Sequence, residues 1–195
     1  MNPLAQASNA NEETLMAPPR FPDHDEIEWL WRIGLFSPDD ARALRKLWRI
    51  LQGQTDDYLD MLLGVVAAYP ALAEVLSILR GVDAEAMTDD SATLRHQFRQ
   101  WLFETCRFPY EPPWIKQLYF DLAQDSSGQS LITTRLPKFR YTIVLALPLA
   151  TTVRSFLVTE GGDQQGIEQM QYALLKAMLL QVDLLSKLYV KEGLW

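Results

Sequence analysis

The feature that most constrains this chain is a pair of long apolar stretches near its C-terminus. From Tyr141 to Val158 the only charge is Arg154, and from Ile167 to Val190 apolar side chains recur on more than one helical face. Met170, Leu174, Met178, Val182 and Leu185 fall on one line of a 3.6-residue helix, and Leu175, Leu179 and Leu188 on another. A helix that is apolar nearly all round has to be covered on both sides. One side is predicted to face the protein's own core and the other a second subunit. The first stretch also has to be weighed as a membrane span, but Pro148 interrupts it and Thr142, Thr151 and Thr152 dilute it, so a buried soluble helix is expected and no membrane. Alternating apolar and polar runs, the mark of a half-buried sheet, are absent. The expected class is therefore all-α.

The upstream sequence continues that pattern. Ile27, Leu30 and Trp31 have helical spacing within a short segment from Asp23 to Ile33. Ser37-Pro38-Asp39-Asp40 combines a side-chain oxygen to cap free amides, a proline whose missing N–H is harmless in a first turn, and carboxylates against the positive end of the helix dipole. The helix it opens presents Ala43, Leu44, Leu47, Ile50 and Leu51 on one side. A second run places Leu59, Leu62, Leu63, Val66 and Ala67 inward and ends at Tyr69-Pro70. The acidic, glycine-containing stretch from Arg80 to Ser91 reads as a loop. Leu94, Phe98, Trp101 and Leu102 mark another helix, and the prolines at 109, 112 and 113 stop it and start the next.

At 195 residues, with 48% hydrophobic content, the chain is long enough for one well-buried domain. That domain is expected over 21–195, behind a polar, flexible N-terminal arm at 1–20. Eighteen basic residues stand against 25 acidic ones, a net charge of −7. The deficit of cations opposes a nucleic-acid partner, which requires a basic footprint on phosphates, and an anionic membrane surface alike. Cys106 is the only cysteine, so no intrachain disulfide is possible and a reducing cytoplasm is expected. The start lacks a signal-peptide pattern, and with no output domain expected after Trp195 any signal would pass to a separate partner protein.

Four segments together resemble the protoglobins, the single-domain relatives of the sensor globins. They are YLDMLLGVVAAYPAL at 58–72, LRHQFRQWLFET at 94–105 with Trp114 following, FRYTIVLALPLATTVRSFL at 139–157, and KAMLLQVDLLSKLYVKEG at 176–193. The resemblance implies a globin-like, protoglobin-type helical sandwich with an extra N-terminal helix. It also implies a haem pocket, and a homodimer formed by the last two helices, from Phe139 to Leu157 and from Ile167 to Val190.

The same resemblance places the iron-binding histidine at Asp125. A carboxylate is a hard oxygen ligand where globin iron requires a neutral imidazole. A shift of register does not rescue the site, since no histidine occurs between Gln97 and Trp195. Where the family has a tryptophan and a tyrosine on the distal side the chain has Leu62 and Leu63, and where it has a phenylalanine in the penultimate helix the chain has Leu145; Phe98 alone keeps its type. The loop from Ser127 to Pro137 is shorter than the family's. The expectation is a haem-free sensor or interaction module with no cofactor, no metal and no catalytic residue. Its remodelled pocket, lined by Leu62, Leu63, Phe98, Leu122 and Leu145, would be filled by these side chains or hold a small apolar ligand. The alternative is a haem protein binding a diatomic gas through His96 or a non-histidine group.

The remaining reactive residue types have structural explanations. His96 precedes Phe98 by two positions, about 200° around a helix, so it should point away from any pocket that Phe98 faces. His24 lies between Asp23 and Asp25, neighbours that do not converge on one metal. The pairs Asp39-Asp40, Asp56-Asp57 and Asp89-Asp90 sit at expected helix starts, where the dipole accounts for them. Cys106 near a helix end has no adjacent base, and Gly161-Gly162 lacks the lysine of a phosphate loop.

Overall fold

The computed structural model describes residues 20–68, 91–124, 139–159 and 163–188. Among them are eight helices and no strand: α1 (His24–Ile33), α2 (Pro38–Leu51), α3 (Thr55–Ala67), α4 (Ser91–Arg107), α5 (Pro113–Gln124), α6 (Phe139–Thr152), α7 (Arg154–Thr159) and α8 (Gln164–Ser186). The expected all-α architecture is observed. Residues 1–19 of the expected arm, Tyr69-Pro70, the stretches 80–90 and 127–137 expected as loops, Asp125, Gly161-Gly162 and residues 189–195 lie outside the described residues, as do the side chains of Val66, Ala67, Leu94 and Leu122.

Three helix starts follow directly from local chemistry. The Asp23 carboxylate accepts from the Glu26 amide at α1, and that of Asp163 accepts from the Gly166 amide at α8. Ser37 and Asp40 form a reciprocal capping box at α2, with Pro38 in the first turn. Each satisfies amides that have no partner within the helix.

α8 runs through the centre and touches α2, α4, α5, α6 and α7. Met170, Leu174, Met178, Val182 and Leu185, the first line read from the sequence, are all buried. All but Val182 belong to two adjoining apolar clusters. The larger joins α2, α3, α4, α6 and α8. The smaller packs Ile27, Ile115 and Tyr119 on Leu184, Leu185 and Leu188.

Polar groups inside this core are paired across helices. The Trp101 indole N–H donates to Gln181 Oε1 at 3.2 Å, and Gln181 Nε2 donates to Thr105 Oγ1 at 2.8 Å, tying α4 to α8. Two buried tyrosines, Tyr58 on α3 and Tyr119 on α5, donate to the carbonyls of Leu149 and Leu184, in the last turns of α6 and α8. A last turn leaves its carbonyls without intrahelical donors, and burying them unpaired costs about 1–3 kcal/mol each. The hydroxyls of Thr151, Thr152 and Ser186 serve further carbonyls at the same two ends.

That arrangement corrects two expectations. The apolar stretch from Phe139 to Leu157 is not one helix: α6 stops at Thr152 and Val153 turns into α7. Pro148 withdraws one amide, and the side-chain donors take the carbonyls of Leu147, Pro148 and Leu149. α8 likewise ends at Ser186 rather than at Val190, and Leu188, expected on the outward line, is buried against α1 and α5.

At the opposite end of the core, Lys176 donates to both Asp40 carboxylate oxygens, at 3.0 and 3.2 Å, and to the Leu35 carbonyl at 2.9 Å. Leu35 has φ +50°, in the left-handed region, so the same ammonium pins the strained turn between α1 and α2. Burial works to raise the Asp40 carboxyl, but the Lys176 hydrogen bond and those from the Ser37 amide and hydroxyl hold it below the ordinary carboxylate value. A depressed folded-state value contributes stability that is complete above the unfolded pKa, about 3.9, and is lost as pH falls through the folded value. Asp40→Asn removes the charged acceptor of these hydrogen bonds and should lower stability by about 1.5–3 kcal/mol at pH 6. In urea titrations the gap from the parent protein should shrink as pH drops below about 4; a gap independent of pH would contradict this account of Asp40.

Candidate functional site

The candidate site lies where α3, α4 and α6 meet. Leu62, Phe98 and Leu145, expected to line the pocket, are 1%, 2% and 3% exposed and belong to one continuous cluster with Tyr58, Trp101, Ala146 and Leu149. Leu63 is half-buried and packs against the same cluster. The structure thus brings four of the five lining residues together. Three aromatic rings run through the middle: Tyr58 to Phe98 and Phe98 to Trp101 each have centroids 5.5 Å apart, and Phe156 of α7 stands 5.5 Å from Tyr58 on the other side. Such offset contacts add about 0.5–1.5 kcal/mol per pair beyond area burial.

The helices that frame the site are fixed by polar contacts at their ends. Arg99 of α4 donates to Thr55 Oγ1 at 3.0 Å and pairs with Asp56, while Arg95 pairs with Asp60. The acidic start of α3 is thereby accounted for by its helix and by α4. Glu104 of α4 accepts from the Trp114 amide at 2.9 Å, a carboxylate placed on the free amides of α5. This contact orients the helix that carries the iron ligand in the fold type the sequence resembles.

The donor set decides whether a metalloporphyrin fits. A haem iron requires an axial imidazole, thiolate, thioether or phenolate from the protein. His96 is exposed on α4 while Phe98 faces inward, as the spacing predicted, and His24 is exposed in the first turn of α1. Cys106 is fully buried and burial pushes its thiol up, so it is held as a neutral apolar group. Burial raises the Tyr58 and Tyr119 phenols in the same way, and both hydroxyls are committed to backbone carbonyls. Met61 sits partly exposed on α3 and accepts from Ser155. Among the described residues no group of three or more His, Cys, Asp and Glu side chains is placed to hold a metal ion. None of His24, His96, Cys106, Tyr58 and Tyr119 is placed as an open axial donor for a haem iron.

Sequence reasoning found the apolar wall of this site but missed Tyr58. A tyrosine in an apolar helical run is a visible signal, yet its acceptor lies far along the chain and nothing local names it.

Residues 23–195 match the family model described as Protoglobin. No curated protein matches the chain.

If Leu62 and Phe98 are packed rather than lining open space, Leu62→Ala and Phe98→Ala should each remove about 3 kcal/mol of unfolding free energy in denaturant titrations. Losses below about 1 kcal/mol would show that neither side chain is enclosed. Tyr58→Phe should cost about 1–3 kcal/mol, because it leaves the Leu149 carbonyl buried without a donor.

Proposed function

The chain belongs to the protoglobin family, and from that premise we propose that it is a haem-free globin-fold sensor or interaction module that acts as a homodimer. The observation that carries this reading is the missing axial donor. No histidine follows His96 in the sequence, His96 itself faces solvent, the hydroxyls of Tyr58 and Tyr119 are engaged by backbone carbonyls, and burial keeps Cys106 a neutral thiol. A fold specifies a scaffold, whereas its chemistry resides in the side chains set into it. Leu62, Leu63, Phe98 and Leu145 present only apolar surface, so the ligand class that suits the region is a small apolar molecule and not an iron-bound gas. The role is non-catalytic, since none of these groups offers a nucleophile or a poised acid or base. A reducing compartment, the cytoplasm, suits a single cysteine kept buried as a thiol.

The dimer reading rests on the two helices that close the core. Val144 and Leu147 of α6 and Tyr172 of α8 are each about 60% exposed in the single chain, with Ile143, Val158 and Leu179 also uncovered. Apolar side chains clustered on sequence-adjacent elements mark an interaction surface, and a second copy supplies a matching one. Signal transfer to a separate protein would then use the remaining faces. No helix among the described residues is long and apolar enough to cross a membrane.

Two measurements test this. Protein produced with haem supplied should be colourless after desalting; a Soret band that persists would replace this reading with a gas-binding haem protein of unusual ligation. Light scattering at micromolar concentration should report a dimer that Leu147→Arg with Leu179→Arg converts to monomer, and a monomeric parent protein would contradict the interface.

A further inference from the structure

The polar side of α2 is not uniformly mixed in charge. Arg42, Arg45 and Arg49 recur at i, i+3 and i+7, which places three arginines along one face of α2. Arg107, the last residue of α4, joins them from the neighbouring helix, and the four arginines with Trp48 line an open, mostly apolar-walled pocket of about 500 Å³. Trp48 is half-buried and meets Phe103 in a T-shaped contact with ring centroids 5.3 Å apart.

This cluster runs against both the global charge and the local energetics. The chain carries −7 overall, yet four of its 18 cationic residues line one pocket. Like charges three and four residues apart on a helix destabilise it by a few tenths of a kcal/mol per pair. Arg42 pairs with Asp39, but Arg45, Arg49 and Arg107 have no carboxylate partner among the described residues. The helix dipole favours Arg49 and Arg107, which stand in last turns, and offers nothing to Arg42 or Arg45. An anion seated among the guanidinium groups would remove the repulsion and take the bidentate contacts they are built to give.

We propose that this pocket binds a small phosphate-bearing molecule with a planar ring, a nucleoside di- or triphosphate. The volume lies within the usual 300–1,000 Å³ of small-molecule sites. The phosphates meet Arg45, Arg49 and Arg107, and the base stacks against the Trp48 indole, a contact worth about 1–3 kcal/mol per base. An extended acidic protein surface would not need a concavity, and inorganic phosphate alone would leave the indole unused. The site is separate from the apolar region between α3, α4 and α6, and stands or falls independently of the haem-free reading.

Isothermal titration calorimetry of the full chain with ATP, GTP, inorganic pyrophosphate and adenosine tests the assignment. One nucleoside triphosphate should bind per chain, more tightly than pyrophosphate, and adenosine should not bind. Binding should weaken as salt is raised. Arg45→Gln with Arg49→Gln, both at exposed positions, should weaken the nucleotide at least about tenfold with unchanged helical content and a melting temperature equal to or slightly above that of the parent. Trp48→Leu should reduce nucleotide affinity to the pyrophosphate level, and Trp48→Phe should retain most of it, which separates loss of stacking from loss of fold. No nucleotide binding at millimolar concentration, or binding unaffected by the arginine pair, would overturn the proposal. So would pyrophosphate matching ATP, or an oligoglutamate peptide outcompeting it.

Discussion

A central helix that is apolar on most of its faces must be covered, and in this protein α8 imposes that condition on everything else. Met170, Leu174, Ala177, Met178 and Leu185 are buried, with α2, α4, α5, α6 and α7 all packed on α8. Covering a helix so completely also takes its C-terminal carbonyls out of water, where each unpaired group costs as much as several methylene contacts contribute. Tyr119 answers that demand at α8, and Tyr58 answers it at the end of α6. The Trp101, Gln181 and Thr105 chain and the Lys176 to Asp40 contact add two more fixed points along the same helix. Apolar area supplies the driving force, and these few paired polar groups select one arrangement of it.

The same economy shows in how the protoglobin fold is held together around the candidate site. The helices meet through Leu62, Phe98, Leu145 and the ring series around Tyr58, none of which needs a porphyrin to be enclosed. Glu104 sets the start of α5 against α4 by accepting from the Trp114 amide. A sensor or docking role asks only that the frame and its outer faces endure. The uncovered apolar residues of α6 and α8 and the arginine-lined pocket on α2 are such faces, one apolar and one cationic.

How much of this was legible in the sequence depended on the range of the interaction involved. The start of α2 was readable because Ser37, Pro38 and Asp40 act on amides three residues away. The outward turn of His96 followed from its spacing to Phe98, and the inward line of α8 from simple periodicity. The end of α6 at Thr152 and the burial of Leu188 were not readable. Each depends on a partner from another helix, Tyr58 in one case and the α1 and α5 surfaces in the other. Of the candidate site, the apolar wall was visible as leucines in place of aromatic residues, whereas the engagement of Tyr58 with Leu149 spans 91 positions and has no local signature. The three arginines of α2 were in plain view; only the fold brings Arg107 and the Trp48 indole beside them.

The central claim is that this globin fold is complete without iron porphyrin, and stability linkage tests it most directly. A ligand that binds the native state raises the melting temperature in proportion to RT ln(1 + [L]/Kd), so a resident haem at a large excess over its Kd would add several kcal/mol. Thermal unfolding of the purified protein, followed by circular dichroism with and without stoichiometric haem, should show a cooperative transition whose midpoint does not move. A saturable rise in that midpoint at one haem per chain would contradict the account.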